Sequence, residues 1–229
     1  MIASGLHTNV APRQHPPILL NHDRLAVAAQ SVAVLDDDMA SILEMLGTPP
    51  LWDRPPGFVT LLRIILEQQV SLGSADAMYR RLLGRIDPLT PENVLAKGES
   101  FLRSFGLTRQ KAAYFVNVAR AIHEGDLDLD ALSLEDDETA MALLTSIKGI
   151  GPWTARIYLL MVLCRPDVWP VGDVALATAF QKLKKLEKRP SQPELEAMAL
   201  AWAPHRATAA RLLWHYYLNG MPGEIGKRQ

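Results

Sequence analysis

Apolar residues recur at helical spacing along most of the chain, and turn-forming residues punctuate them. Residues 21–45 carry one such run, which Gly47, Pro49 and Pro50 bring to a stop. Residues 58–69 predict a strongly apolar helix, and after a break at Val70 and Ser71 a second amphipathic helix continues to about Arg85. Pro91 suits the first turn of a short helix near 92–97, and a brief one over 101–105 ends at Gly106, a plausible left-handed position. Thr108 is placed to cap a helix reaching about Glu124. Ser133 and Asp136 have capping-box spacing ahead of the apolar stretch 141–144. The acidic run 135–138 falls where a helix N-terminus favours anions, whereas 36–38 reads as solvated surface. Residues 153–164 are apolar almost all round, the pattern of a central buried helix. Further helices are expected over 174–186, 193–202 and 206–218. The short β-like run 168–171 is interrupted by Pro170, and no period of about 20–50 residues marks a solenoid. The pattern predicts an all-α fold.

Composition adds little to that picture and removes several classes of function. With 229 residues, 48% hydrophobic and 21% charged, the chain is long enough for a core built from one domain or two small subdomains. No run of about 18 apolar residues signals a membrane span. Residues 1–20 hold Pro12, Pro16 and Pro17 among polar residues, without a basic-then-apolar signal pattern, and read as a flexible leader. The single cysteine, Cys164, excludes an internal disulfide framework and a cysteine-ligated iron–sulfur cluster. It reads as a small buried apolar side chain in a protein of a reducing compartment, cytoplasmic or, in a eukaryote, nuclear. The formal charge of −1 means that any polyanion must be met locally or by backbone amides.

The most informative segment runs Ile147-Lys-Gly149-Ile150-Gly151-Pro152-Trp153-Thr154-Ala155. Two glycines allow a sharp turn and a close approach by another molecule, Ile150 can anchor the turn, and Pro152 opens the next helix. The N–H groups of such a turn and helix N-terminus form a phosphate site that needs few cationic side chains. Alone, the Gly-x-Gly fits a tight helix–helix connection, with glycine at its C-cap, better than a phosphate site. Twenty positions beyond Trp153, however, stands Val171-Gly172-Asp173, directly before another apolar helix.

With these elements the chain resembles the helix-hairpin-helix (HhH-GPD) DNA glycosylase superfamily, and within it the 3-methyladenine DNA glycosylase II family. The likeness covers about 58–218. It includes Gln68-Gln69-Val70-Ser71, Gly106-Leu107-Thr108 with Lys111-Ala112, the hairpin, Trp169-Pro-Val-Gly-Asp173, Trp202 with Pro204 and Arg206, and Leu212-Leu213-Trp214. It implies a hairpin over about 136–164 and two helical subdomains around a DNA cleft, one built from N-terminal helices and the C-terminal helix. The β-rich N-terminal subdomain of larger relatives is not expected, and the glycosylase domain would span 21–229.

The resemblance also assigns roles. Asp173 would be the catalytic carboxylate that stabilises an oxocarbenium-like sugar and orients water, although an aspartate there also suits a helix N-cap. Alkylated purines carry positive charge and leave readily, so one carboxylate suffices. Trp153 and Trp214 would line the base pocket by stacking and cation–π contact, with Tyr158 and Ile157 nearby; Trp214 also fits a core position. Ile157 occupies a position where the family expects an aromatic ring. Gln69 would fill the gap left by the extruded base, where two-domain bacterial relatives use an aliphatic residue; it also fits a helix cap. Gln68 and Ser71 would touch the opposing strand or steady the turn. Amides of Gly149, Gly151 and Trp153, with the Thr154 hydroxyl, would hold a phosphate. Backbone carbonyls of Thr145, Ile147 and Ile150 would hold Na+ or K+, no other cofactor being required.

Lyase members carry a lysine at the position of Trp153, and Lys148 lies before the glycines, so hydrolysis alone is expected. Double-stranded DNA bearing alkylated bases is the expected partner of a monomeric enzyme. Trp202 and Pro204 suit packing, and the cluster Lys182, Lys184, Lys185, Lys188 and Arg189 suits a solvated helix end better than DNA contact. The competing readings are a non-catalytic hairpin clamp, which would need neither Asp173 nor the tryptophans, and a damage sensor that keeps the pocket without cutting.

Overall fold

The computed structural model describes residues 18–222. The expected leader lies almost wholly outside the described residues, and so does the C-terminal end of the expected domain. The described residues form eleven α-helices joined by turns and two 3-10 segments, with no strand among them. None of these helices is long and apolar enough to cross a membrane.

Helix α1 (His22–Leu35) starts where the Asn21 side chain accepts from the Arg24 N–H. The run expected as one helix over 21–45 is broken at Asp36, whose extended backbone ends α1. Its carboxylate then caps α2 (Asp37–Leu46) by accepting from the N–H groups of Asp38 and Met39. Asp36 is therefore not solvated surface. It also accepts from Lys184 Nζ at 2.7 Å and Trp202 Nε1 at 3.2 Å. Lys184 consequently leaves the basic cluster for an internal ion pair, and Trp202 takes its expected place in the core.

Helix α3 (Phe58–Glu67) is nearly all core, and α4 (Leu72–Leu83) begins at Ser71, which caps it through Ser74 N. Helix α5 (Pro91–Ser104) is interrupted at Gly98 (φ 71°, ψ 174°), so the two short helices expected around 92–105 are both present, joined across that kink. Helix α6 (Arg109–His123) is capped by Thr108 as the pattern predicts. Ser133 belongs to a 3-10 turn, and Asp136 alone caps α7 (Asp137–Thr145), so the expected capping box there does not form. The remaining helices are α8 (Pro152–Met161), α9 (Val174–Leu183), α10 (Gln192–Ala199) and α11 (Arg206–Leu218). Cys164 is only partly covered, on a left-handed backbone (φ 50°), with its thiol pushed up by burial.

Helix α3 packs against α4, α6 and α8, while α5 lies on α6 and α7 on α8. Helix α11 packs against α1, α2 and α9. A buried cation ties these two sets together. Arg211 of α11 donates through Nε to Leu51 O (2.8 Å), through Nη2 to Leu160 O (2.7 Å) and through Nη1 to Ala207 O (3.1 Å). Burial pushes its pKa down to about 10, and three carbonyl dipoles take the place of solvent around the charge. The register of α11 against α8 is thereby fixed, and with it the spacing of the tryptophans that α8 and α11 carry.

Candidate active site and DNA interface

The hairpin between α7 and α8 is held from three sides. The Ile150 side chain is buried, and its N–H donates to Ile147 O at 3.0 Å. Asn117 Nδ2 donates to Lys148 O at 3.2 Å. Gly149 adopts φ +118°, and a Cβ there would lie 2.7 Å from Tyr114 Cβ and Cγ, so both backbone and packing require glycine. Gly151 is different. It is the N-cap of α8 with an ordinary φ of −82°, and a Cβ would meet nothing within 4 Å. The N–H groups of Gly149 and Gly151 have no acceptor among the described residues, beside a helix N-terminus that favours negative charge.

At Asp173, the expected N-cap role is present: Oδ1 accepts from Leu176 N at 2.9 Å and starts α9. The same carboxylate receives two indoles. Trp153 Nε1 donates to Oδ2 at 3.1 Å, and Trp214 Nε1 donates to Oδ1 at 3.3 Å. Helices α8, α9 and α11 thus converge on one anion. Trp52, in the connection before α3, sets its ring edge-on to Trp214 with centroids 6.4 Å apart. It also lies 6.2 Å from the His215 ring, on a left-handed backbone (φ 48°). Sequence reasoning missed Trp52. The available signal was a large aromatic isolated between Pro50 and Pro55, which a connecting loop does not leave in water without a partner.

Several expected site residues lie elsewhere. Ile157 and Tyr158 are buried inside α8, and the Tyr158 hydroxyl accepts from Gly57 N at 3.3 Å, so neither lines a base pocket beside Asp173. Burial α8-wide is the reason: its residues 157–160 are all enclosed by core. Thr154 is 1% exposed, and its hydroxyl accepts from Gln68 Nε2 at 2.8 Å, which removes it from the phosphate-facing surface. Gln68 therefore turns inward rather than toward an opposing strand, with a second bond to Gly149 O at 3.2 Å.

Gln69 is exposed at φ 56°, flanked by the exposed apolar side chains of Val70 and Leu72. It does not cap α3. The turn is held from beneath by Lys111, whose Nζ donates to Leu66 O (2.6 Å) and Gln68 O (2.9 Å). Burial lowers the pKa of that ammonium. Thr145 is the last residue of α7, and the carbonyl of Ile147 already accepts the turn bond from Ile150. Among the described residues no cluster of three or more His, Cys, Asp or Glu side chains could hold a metal ion.

Residues 62–205, which contain the turn at 68–71, the hairpin and Asp173, match the model of the HhH-GPD superfamily base excision DNA repair proteins. The chain belongs to that superfamily. It is 30% identical to Bacillus subtilis YfjP over 75% of its own length, and it spans 62% of that longer relative. A DNA-3-methyladenine glycosidase from Bacillus halodurans is 30% identical and superposes with a TM-score of 0.71, over 83% of this chain and 88% of that one. The Schizosaccharomyces pombe 3-methyladenine DNA glycosylase in complex with abasic DNA shares the fold at a TM-score of 0.78. It is 24% identical, over 86% of this chain and all of that one.

Proposed function

We propose that this HhH-GPD chain is a monofunctional DNA glycosylase, acting as a monomer on duplex DNA. It hydrolyses the N-glycosidic bond of flipped-out alkylated bases of the 3-methyladenine and 7-methylguanine class. The observation that carries the reading is the Asp173 carboxylate, received by both indole N–H groups and set on the helix that follows the hairpin helix. The names of the relatives point to the same substrate class.

The chemistry follows from the hydrogen-bond inventory of the carboxylate. An ionised carboxylate has about four acceptor sites, and Leu176 N, Trp153 and Trp214 occupy three. The remaining site and the net charge are left for the reaction. As the cationic base departs with the bonding electron pair, it becomes neutral, and C1′ of the deoxyribose develops positive charge. A fixed anion beside it stabilises that charge without reorganisation. Water then adds to C1′ and releases its proton, leaving an abasic sugar. The partly exposed rings of Trp153 and Trp52 suit a cationic purine by stacking and cation–π attraction. Trp214, buried in the core, serves the carboxylate through its indole N–H. The indole of Trp153 occupies the position from which a lysine would form a Schiff base, so no strand cleavage accompanies hydrolysis.

Free N–H groups of Gly149 and Gly151 hold the phosphate, and Gln69 with its apolar neighbours fills the emptied stack as a wedge carried on the turn at 68–71. Sodium or potassium at the hairpin would be held by the backbone carbonyls of Thr145, Ile147 and Ile150. The carbonyl end of α7 carries the negative end of its dipole, which suits a cation, and the ion would add positive charge beside the phosphate.

The test is incubation with duplex DNA methylated by an alkylating agent, followed by chromatography of the released bases and borohydride treatment. Release of 3-methyladenine or 7-methylguanine with no trapped covalent adduct is the expected result. Tight binding without any released base would replace the enzyme with a clamp, and a trapped adduct would replace hydrolysis with lyase chemistry.

A further inference from the structure

Gln68 sits between the two DNA-directed elements and is bonded to both. Its backbone forms the root of the wedge turn: the carbonyl accepts from Lys111 Nζ at 2.9 Å, and the next residue is Gln69 in its left-handed conformation. Its side-chain amide spends both donors on the hairpin, one on Gly149 O and one on Thr154 Oγ1. Lys111 makes a second bond to Leu66 O, so the ammonium ties the last turn of α3 to the wedge root. The far partners are themselves closely packed. Gly149 backs directly onto the Tyr114 ring, and Thr154 is enclosed in the first turn of α8. A left-handed backbone at a residue with a side chain persists only where its surroundings hold it, and here Lys111 and the hairpin do so.

A stiff polar path therefore runs from α6 through the wedge root into the phosphate-holding turn. We propose that Gln68 and Lys111 are positioning residues that lock the wedge turn to the hairpin. Capture of a phosphate at Gly149 and Gly151 then fixes the point at which Gln69 enters the base stack. The proposal rests on the glycosylase reading above and adds a cause to it: grip and insertion are one rigid movement rather than two independent contacts. Bonds on such a path are mutually dependent, so losing either end of the Gln68–Thr154 contact loosens the same element.

The experiment uses the full chain and two duplexes. Fluorescence anisotropy on an undamaged duplex reports the grip. Stopped-flow fluorescence of 2-aminopurine, placed opposite a tetrahydrofuran abasic analogue, reports wedge insertion as the facing base is unstacked. Gln68→Leu is expected to bind the undamaged duplex within about twofold of wild type while insertion slows about tenfold or more, the net scale of the two hydrogen bonds it loses. Thr154→Val, which removes only the accepting hydroxyl, is expected to slow insertion in the same sense. The double variant should be no slower than Gln68→Leu. Should Gln68→Leu melt before the assay temperature, Thr154→Val carries the test with the same two readouts. Unchanged insertion, equal losses of grip and insertion, or additive effects in the double variant would each overturn the coupling. A wild-type protein that binds the abasic duplex with no fluorescence rise would instead overturn the wedge itself, and the proposal with it.

Discussion

Trp153 and Asp173 stand twenty positions apart in the chain and 3.1 Å apart across the site, the indole Nε1 donating to Oδ2. With Trp214 on the other oxygen, both indoles hold the carboxylate in place. Replacing either by phenylalanine keeps an aromatic face and deletes one donor. A hydrogen bond to a charged group contributes about 1.5–3 kcal/mol, so a partial loss in the transition state gives a fall of about tenfold or more. Single-turnover base release by Trp153→Phe and Trp214→Phe should drop by that factor, with affinity for an abasic-analogue duplex changed about twofold at most. A loss confined to affinity would make the tryptophans walls only.

The two hairpin glycines should part company. Gly149→Ala meets Tyr114 at 2.7 Å and must hold φ +118°, so thermal melting should fall by an amount equivalent to about 2 kcal/mol or more. Gly151→Ala has open space and an ordinary φ, so melting should shift by only about 1 kcal/mol, from the weaker N-cap. Its added methyl group stands where a phosphate would approach, and affinity for duplex DNA should fall about tenfold. Calorimetry and anisotropy on both variants check the contrast. Unaltered DNA affinity in Gly151→Ala would move the phosphate elsewhere.

How far the chain's own pattern could be read is clearest at α8. Its apolar periodicity announced a central helix, and the resemblance brought Trp153 and Asp173 together correctly. That helix is buried almost all round, however, so no polar face indicates which side meets the site. The resemblance alone puts Ile157 and Tyr158 in the pocket, by their register after Trp153, and both are enclosed in the core instead. Trp52 lies in a proline-rich connection with no periodicity to orient it. The inward turn of Gln68 depends on a carbonyl 81 positions away, a tertiary fact with no local signature. Asp36 looked like one member of an acidic run because its partners, Lys184 and Trp202, are 148 and 166 positions distant.

Tyr158→Phe follows from that correction. The change strands the Gly57 N–H, so stability should fall by about 1 kcal/mol in chemical denaturation. The ratio of 3-methyladenine to 7-methylguanine released should stay as in wild type. A changed ratio would return Tyr158 to the pocket.

Asp36 makes stability depend on acid. Burial works to raise its pKa, but the Lys184 ammonium, the Met39 N–H and the Trp202 indole together bring it below the ordinary value. A depressed folded-state value means stability that is present above the ordinary carboxylate range, near pH 4, and is lost as pH falls through the lowered value. Lys184, burial notwithstanding, is raised by Asp36 and Asp38, so its share persists until strongly alkaline pH. Asp36→Asn should cost about 2 kcal/mol at pH 7, and the gap from wild type should narrow as pH falls below the ordinary carboxylate value, near 4. Melting curves across pH 3–8 measure it, and a constant gap would remove the ion pair from the account.

Asp173→Asn is the most direct trial of the reaction, because the amide keeps an acceptor oxygen for Leu176 and Trp214 while deleting the charge. Under single-turnover conditions on methylated duplex DNA, the rate of free-base release should fall about 100-fold or more. Binding to an abasic-analogue duplex should stay within a few-fold of wild type. Equal release rates from the two proteins would contradict a catalytic carboxylate at position 173.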